Sequence, residues 1–381
     1  MNHELDPEHT LLRDTVRSFA EAEIAPVAAK LDEQEEFSVD LTRRMGELGL
    51  FGIAVPEEYG GQGMDYLAYV IATEELARVD GSQAATVTAG NSLGIAPIYY
   101  FGTEAQRQRY LPGLCSGERL WAFGLTEPGA GSDSRASATR AEPIDGGWRL
   151  NGSKIFITNA SSPISEGVTV QAVTGGVEGR PELSCFLVEH GTAGFTATTM
   201  HGKLMWRGSD TAELSFADCD VPTDALLGEQ GAGSRQMLET LDTGRLGIAA
   251  MGLGAAQGAF ELALDYAKHR TQFGHPIGSF QGISFQIADM AMEIDHARTY
   301  LYRAARLKDA GREFRTEAAM AKLYCTEVAG RVTDAAVQIH GGYGLMKDSP
   351  VERFYRDHRI LRIGEGTSEI QRLVIARALG L

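Results

Sequence analysis

Near the C-terminal end of the chain a glutamate sits between two glycines, in Ile363-Gly364-Glu365-Gly366-Thr367-Ser368-Glu369-Ile370-Gln371-Arg372. A solvated helical glutamate ordinarily has helix formers beside it. Flanking glycines remove both neighbouring side chains and let another molecule come close to the backbone. Thr367, Ser368 and Glu369 then supply helix-start chemistry before Ile370, Leu373, Val374 and Ala378 begin an apolar stripe, so backbone donors point back at whatever Glu365 faces. These residue types fit a general base on a loop that enters a helix. A capped helix with a solvated glutamate fits the same ten residues.

Two other stretches carry chemistry. Residues 123–133, Phe-Gly-Leu-Thr-Glu-Pro-Gly-Ala-Gly-Ser-Asp, combine glycines with Thr126 and Ser132. Such a loop can wrap an anionic or heteroaromatic cofactor; it has neither the Walker nor the dinucleotide spacing and reads equally as a polar turn. In Lys154-Ile155-Phe156-Ile157-Thr158-Asn159 an aromatic precedes a threonine by two positions, which puts both on one face of a strand. Ring and hydroxyl could meet a flat cofactor, or belong to a half-buried strand.

The elements that must position these residues divide the chain into three. Residues 1–120 read as a helical domain: Leu11 to Ala29 is amphipathic, Leu41 to Leu48 is a short helix, Tyr66 to about Arg78 another, and Thr103 to Gln106 caps the next. Over 121–232 the period changes to two. Val168-Val170-Ala172, Phe186-Val188 and Leu214-Phe216 alternate with polar neighbours, and Asn151-Gly152 signals a hairpin turn. Over 233–381 long seams return. Ile283, Ile287, Met290, Ile294, Ala297, Leu301 and Ala304 form one, and Ala318, Ala321, Cys325, Val328, Val332, Ala335 and Ile339 the other. The expected architecture is α+β: an N-terminal helical domain, a middle antiparallel β domain and a C-terminal four-helix bundle.

Composition narrows the function classes. Among 381 residues, 35 basic against 51 acidic side chains leave a formal charge of -16 with no long basic run, which disfavours nucleic acid and anionic membrane as partners. Cys115, Cys185, Cys219 and Cys325 are scattered singly, suggesting neither a metal site nor a disulfide framework and fitting a reducing compartment. Met1 to Leu12 has no basic start or apolar core, so a cytoplasmic location is expected. The most apolar stretch, Leu246 to Phe260, reads as too short to span a membrane.

Taken in order, Thr126 to Asp133, Phe156-Ile157-Thr158-Asn159, Arg270-Thr271-Gln272-Phe273-Gly274, Gln338-Ile339-His340-Gly341-Gly342 and Glu365-Gly366-Thr367-Ser368 resemble the motifs of the acyl-CoA dehydrogenase flavoprotein family, in a short- or branched-chain-like bacterial form. The resemblance covers essentially the whole chain. It implies non-covalent FAD between the β domain and the bundle, in a homotetramer built from dimers. Phe123, Leu125, Thr126, Gly131, Ser132, Phe156 and Thr158 would then line the flavin. Arg270, Gln272, Phe273, Phe280, Gln281, Gln338, Ile339, Gly341 and Gly342 would reach the FAD of a neighbouring subunit, and Thr367 and Ser368 would close over its phosphate side.

The resemblance also implies the chemistry. Glu365 would take the α-proton of a saturated acyl-CoA thioester while the β-hydrogen leaves as hydride to flavin N5, giving the trans-2-enoyl thioester. The carbonyl would be polarised by the base's backbone N–H and a ribityl hydroxyl. Ser132, Asp242, Arg245 and Gly366 match substrate-side positions, and Asp242 and Arg245 would equally make an i, i+3 ion pair. Relatives that carry the base elsewhere place it at position 244, which here is glycine. Gly364 and Phe156 stand where many relatives have an aromatic residue and a tryptophan, leaving chain length and branching open; the acyl pocket should be floored by Ala89 to Tyr100. An electron-transfer flavoprotein is the implied acceptor. A carrier-protein thioester as substrate, direct use of oxygen, and a flavin-binding interaction protein without turnover are the competing readings.

Overall fold

The computed structural model describes residues 5–177 and 180–381; the first four residues of the N-terminal stretch lie outside them. The first third is helical: α1 (Pro7–Phe19), α2 (Ala25–Gln34), α3 (Val39–Glu47), α4 (Tyr66–Ala77), α5 (Gly81–Ala89), α6 (Ala96–Phe101) and α7 (Glu104–Cys115). Thr103 and Gln106 cap α7 reciprocally, as their spacing predicts. The amphipathic run over Leu11 to Ala29 is two helices joined by a π-helical turn at Ala20–Ile24. A second π-helical turn, Gly90–Ile95, joins α5 to α6. Sequence periodicity misses α5 because it is buried on every side and has no polar face.

Eight strands follow among the described residues: β1 (Leu120–Gly124), β2 (Arg140–Ile144), β3 (Gly147–Thr158), β4 (Ser165–Val177), β5 (Arg180–Glu189), β6 (Phe195–Thr199), β7 (Thr211–Pro222) and β8 (Leu226–Leu227). They form one sheet in the order β6-β7-β3-β2-β4-β5-β8. Most pairs are antiparallel; β1 and β2 each meet β4 in parallel. Val168, Val170, Phe186, Val188, Leu214 and Phe216 share its core.

The hairpin turn expected at Asn151-Gly152 is absent. Both residues lie inside β3, and the chain reverses at Asp145-Gly146, where Gly146 has φ 78°. Gly152 falls at a register irregularity against β7, and a Cβ there would lie 2.7 Å from the Thr139 Cα. The Asn151 side chain accepts from the Asp218 backbone N–H at 2.8 Å. A dipeptide that usually marks a turn here marks a bulge, where glycine serves close backbone approach.

The last third holds α8 (Gly233–His269), a short hairpin of β9 (Thr271–Gln272) and β10 (His275–Pro276), α9 (Gln281–Asp309), α10 (Arg315–His340), α11 (Val351–Leu361) and α12 (Ser368–Ala378). The seam of α10 is buried throughout; that of α9 is buried from Met290 onward, with Ile283 and Ile287 at its partly covered end. The Leu246 to Phe260 stretch is part of the 37-residue α8, which is long and apolar enough to cross a membrane, but 78% of its apolar window is buried inside the protein.

Helix α4 joins the first and last thirds. From Leu67 to Ala77 it is buried all round, and its Glu74 accepts from Arg298 of α9 at 2.7 Å and from the Tyr302 hydroxyl at 2.8 Å. Glycines on α8 let the two helices approach: a Cβ at Gly254 would stand 2.3 Å from the Glu74 carbonyl oxygen, and one at Gly258 would stand 2.1 Å from that of Arg78. Because backbone cannot yield as a side-chain tip can, Gly254→Val should separate the helices at a cost of about 1–3 kcal/mol. The expected result is a lower thermal midpoint for the holoprotein; an unchanged midpoint would contradict this packing.

Candidate active site

Glu365 lies in the turn between α11 and α12, where it and Gly366 are consecutively left-handed, with φ of 52° and 93°. Thr367 caps α12 by accepting from the Ile370 N–H at 3.3 Å. Left-handed backbone is uncommon for a glutamate and persists only where surroundings over-determine it. Here Lys322 of α10 donates to the Gly366 carbonyl at 2.7 Å, and Gln371 of α12 donates to the same carbonyl at 2.9 Å.

The carboxylate points at α8. A Cβ at Gly244 would lie 1.9 Å from Glu365 Oε2, so positions 244 and 365 compete for one space and only glycine at 244 leaves room. Although Glu365 as a residue is only half-buried, Oε2 is buried and has no hydrogen-bond partner among the described residues. Burial pushes the carboxyl up to about 7, against the pull of Lys322 and Arg245. A carboxylate without its water and without donors is poised to take a proton.

Beside it, Asp242 and Arg245 of α8 are both buried and form the intrahelical ion pair that their spacing allows, joined by Arg315 of α10 at 2.8 Å from Asp242. The Nε of Arg245 is buried without a hydrogen-bond partner among the described residues. A narrow pocket nearby is lined by Val55, Tyr66, Tyr69, Ile95, Tyr99 and Thr243, among others. Asn91, Ser92, Ile95, Ala96 and Tyr99 also line it, from the π-helical turn and the helix after it. Gly90 does not face it, because the Phe51 ring fills the space a side chain would take, 2.6 Å from a Cβ there.

On the β side, Phe123 is buried in the core at the end of β1, and the segment that follows it runs beside the end of β3. The Ile155 N–H donates to the Thr126 carbonyl at 2.9 Å, joining the segment after β1 to the end of β3. Lys154, fully buried, donates to Glu127 at 2.7 Å and to the Leu125 carbonyl at 3.2 Å. Burial opposes charge on Glu127, but Lys154 and donors from Ser137 and Ala138 hold its carboxyl well below the usual range. Plain alternation of Phe156 and Thr158 fails: the register slips between Lys154 and Ile157, and Phe156 is itself left-handed, φ 61°. That bulge turns the ring outward, 64% exposed. Gly131 and Ser132 stand on the exposed loop beyond, with open space around Gly131.

The remaining expected residues gather elsewhere. Arg270, Gln272, Ile339, Gly341 and Gly342 line an open groove of about 430 Å³ at the far end of the bundle. Phe273, 91% exposed, and Phe280 meet edge to face nearby, and Gln281 and Gln338 are exposed. Along α8, Arg245 and Arg270 are separated by about 37 Å of helix. The structure thus brings Glu365, Gly366, Asp242 and Arg245 together and sets the Arg270 group apart. Lys322 and Gln371 are missed by the sequence reading; the signal for Lys322 is a lysine on the small-residue face shared by Ala318, Ala321 and Cys325.

Because the carboxyl of Glu365 titrates near 4.5 when free and about 7 when folded, the folded state keeps a proton across that window that the unfolded chain has lost. Stability contributed at this site therefore falls as pH rises from 4.5 to 7. Glu365→Gln should stabilise the substrate-free protein by about 1–3 kcal/mol at pH 8 and by much less at pH 5. Thermal midpoints at both pH values check this, and an equal change at both would contradict the burial of an ionisable carboxyl.

The N-terminal, middle and C-terminal domains of acyl-CoA dehydrogenase match residues 6–118, 122–219 and 231–380. A probable acyl-CoA dehydrogenase of Bacillus subtilis (strain 168) is 50% identical over 380 residues, covering 100% of both chains. The mitochondrial short-chain specific acyl-CoA dehydrogenase of Bos taurus is 46% identical, over 98% of this chain and 90% of its own. The solved butyryl-CoA dehydrogenase of Megasphaera elsdenii superposes with a TM-score of 0.96 at 42% identity, covering 100% of both chains. On this evidence the chain belongs to the acyl-CoA dehydrogenase family.

Proposed function

We propose that the protein is an FAD-dependent dehydrogenase of short-chain acyl-CoA thioesters in which Glu365 removes the α-proton. The observation that carries the reading is the buried, unpartnered Oε2 of Glu365 in space vacated by Gly244. The residues fit the cofactor: an outward aromatic at Phe156, open backbone around Gly131, and a rigid Lys154–Glu127 tie beneath them make a surface on which a flat ring can lie. Phe123, Leu125, Thr126, Phe156 and Thr158 would hold the flavin on this face, with Thr367 and Ser368 over its phosphate side. Bound FAD supplies the acceptor for the hydride that leaves the β-carbon.

The chain's own residues supply the rest. Glu365 accepts the proton at Oε2, and its backbone N–H and the flanking glycines leave a donor and a close approach for the thioester carbonyl. Arg245, with Asp242 and Arg315 fixing its orientation, offers a free Nε towards the thioester-linked part. Tyr66, Tyr69 and Tyr99 narrow the pocket, and the Tyr66 and Tyr100 hydroxyls hydrogen-bond to each other. Bulk of this kind favours a short acyl chain, in agreement with the short-chain and butyryl-CoA relatives. The Arg270 groove, remote from Glu365 and open, suits the FAD of a second subunit in a homotetramer, and an electron-transfer flavoprotein is the acceptor we favour.

Anaerobic titration of the yellow protein with straight-chain saturated acyl-CoAs from butyryl to palmitoyl tests the substrate. Flavin bleaching should be at least ~10-fold faster with the short members than with the long. Faster bleaching by palmitoyl-CoA would overturn the chain-length reading, and none at all would favour a carrier-protein thioester instead. Arg270→Ala should lose FAD and elute as a smaller assembly; a holoprotein of unchanged size would refute a role for Arg270 across an interface.

A further inference from the structure

Lys322 is 0% exposed, on a helix face otherwise made of Ala318, Ala321 and Cys325. Its one hydrogen-bond acceptor among the described residues is the Gly366 carbonyl at 2.7 Å. A buried ammonium is unfavourable unless it is paired, and a neutral amide of similar reach could hold one carbonyl. Gln371 already does so, donating to the Gly366 carbonyl at 2.9 Å and to that of Glu365 at 3.3 Å. A second donor bearing a full charge therefore calls for a task beyond closing the turn.

The charged surroundings indicate the task. Glu365 is faced by Lys322 from α10, Arg245 from α8 and Tyr69 from α4. Lys322 is faced by Glu365, Arg245, Glu327 of α10 and Glu369 of α12. Arg245 is engaged by Asp242. Glu327 is engaged by Arg362 at 3.0 Å and by the Ser368 hydroxyl at 3.0 Å, and Glu369 is exposed. Among these groups Lys322 is the cation without a carboxylate held in a salt bridge, so its charge is directed at Glu365.

We propose that Lys322 is a positioning residue for the base: its ammonium pins the Gly366 carbonyl, so that the left-handed turn aims Glu365 past Gly244, and its charge faces the carboxylate in the ionised form that takes the proton. The inference rests on Glu365 being the base. Lys322 touches no reacting atom; it acts through the turn and across it. A purely structural lysine would alter stability and leave the titration of Glu365 in place.

The test compares holoprotein carrying Lys322→Met, Lys322→Gln and Lys322→Arg with wild type. Single-turnover flavin reduction by butyryl-CoA is followed from pH 5.5 to 9. In parallel, the protonated carboxyl band lost in Glu365→Gln is titrated by infrared difference spectroscopy without substrate. Lys322→Met should slow reduction at least ~10-fold and move the apparent midpoint of Glu365 upward by about one unit. Lys322→Gln should recover part of the rate but keep the shifted midpoint, and Lys322→Arg should return the midpoint towards wild type. If Lys322→Met does not fold, Lys322→Gln decides. An unmoved midpoint in FAD-containing Lys322→Gln overturns the proposal, whatever happens to the melting temperature. If butyryl-CoA fails to reduce wild type, the proposed reaction fails, and the infrared titration still judges Lys322 by the same criterion.

Discussion

Burying a carboxylate oxygen with no hydrogen-bond partner costs about 1–3 kcal/mol or more, and the fold is arranged around tolerating that cost at Glu365. The space comes from α8, where Gly244 leaves room for Oε2. The aim comes from a left-handed turn that α10 and α12 clamp through the Gly366 carbonyl. The compensating positive charge comes from Lys322 and Arg245. Fill the space at Gly244 and the same carboxylate would be displaced towards water, where it is an ordinary acid and a poor base for a weakly acidic α-proton.

The helix that feeds this turn is itself fixed from both of the other regions of the chain. Asp357 of α11 accepts from the Trp206 backbone N–H at 2.8 Å, between β6 and β7. Arg356 is held by Asp32 of α2 at 2.7 Å, and Arg353 lies 3.4 Å from Asp80, the cap of α5. Asp32, Asp80 and Asp357 are all buried. Burial and the neighbouring Asp80 push the Asp357 carboxyl up to about 7. Such a network is specific because its members come from different regions, so α11, and Glu365 that follows it, is registered to the helical and β parts at once.

Much of this was legible in the chain. Glycine on both sides of Glu365, the long seams of α9 and α10, and the period-two runs of β4, β5 and β7 each carry a local physical reason that tertiary structure did not override. What was hidden required a neighbour. The Asn151-Gly152 pair looks like a turn until β7 and Thr139 are seen beside it. Phe156 looks like a strand residue until the bulge turns it outward. Helix α5 has no polar face, so it has no period. Lys322 was visible as a lysine in an alanine-rich seam, but its partner is a backbone carbonyl forty-odd positions on, which no side-chain pattern encodes. The pairing of Asp242 with Arg245 was readable; the third member, Arg315, was not, because it comes from another helix.

Single-turnover reduction of the flavin in Glu365→Gln, followed anaerobically with butyryl-CoA and compared with wild type, tests the central assignment most directly. The account predicts a loss of about 10²- to 10⁴-fold in the reduction rate, with FAD content and butyryl-CoA binding retained. A variant that holds both and still reduces its flavin within tenfold of wild type would show that the proton goes to some other group.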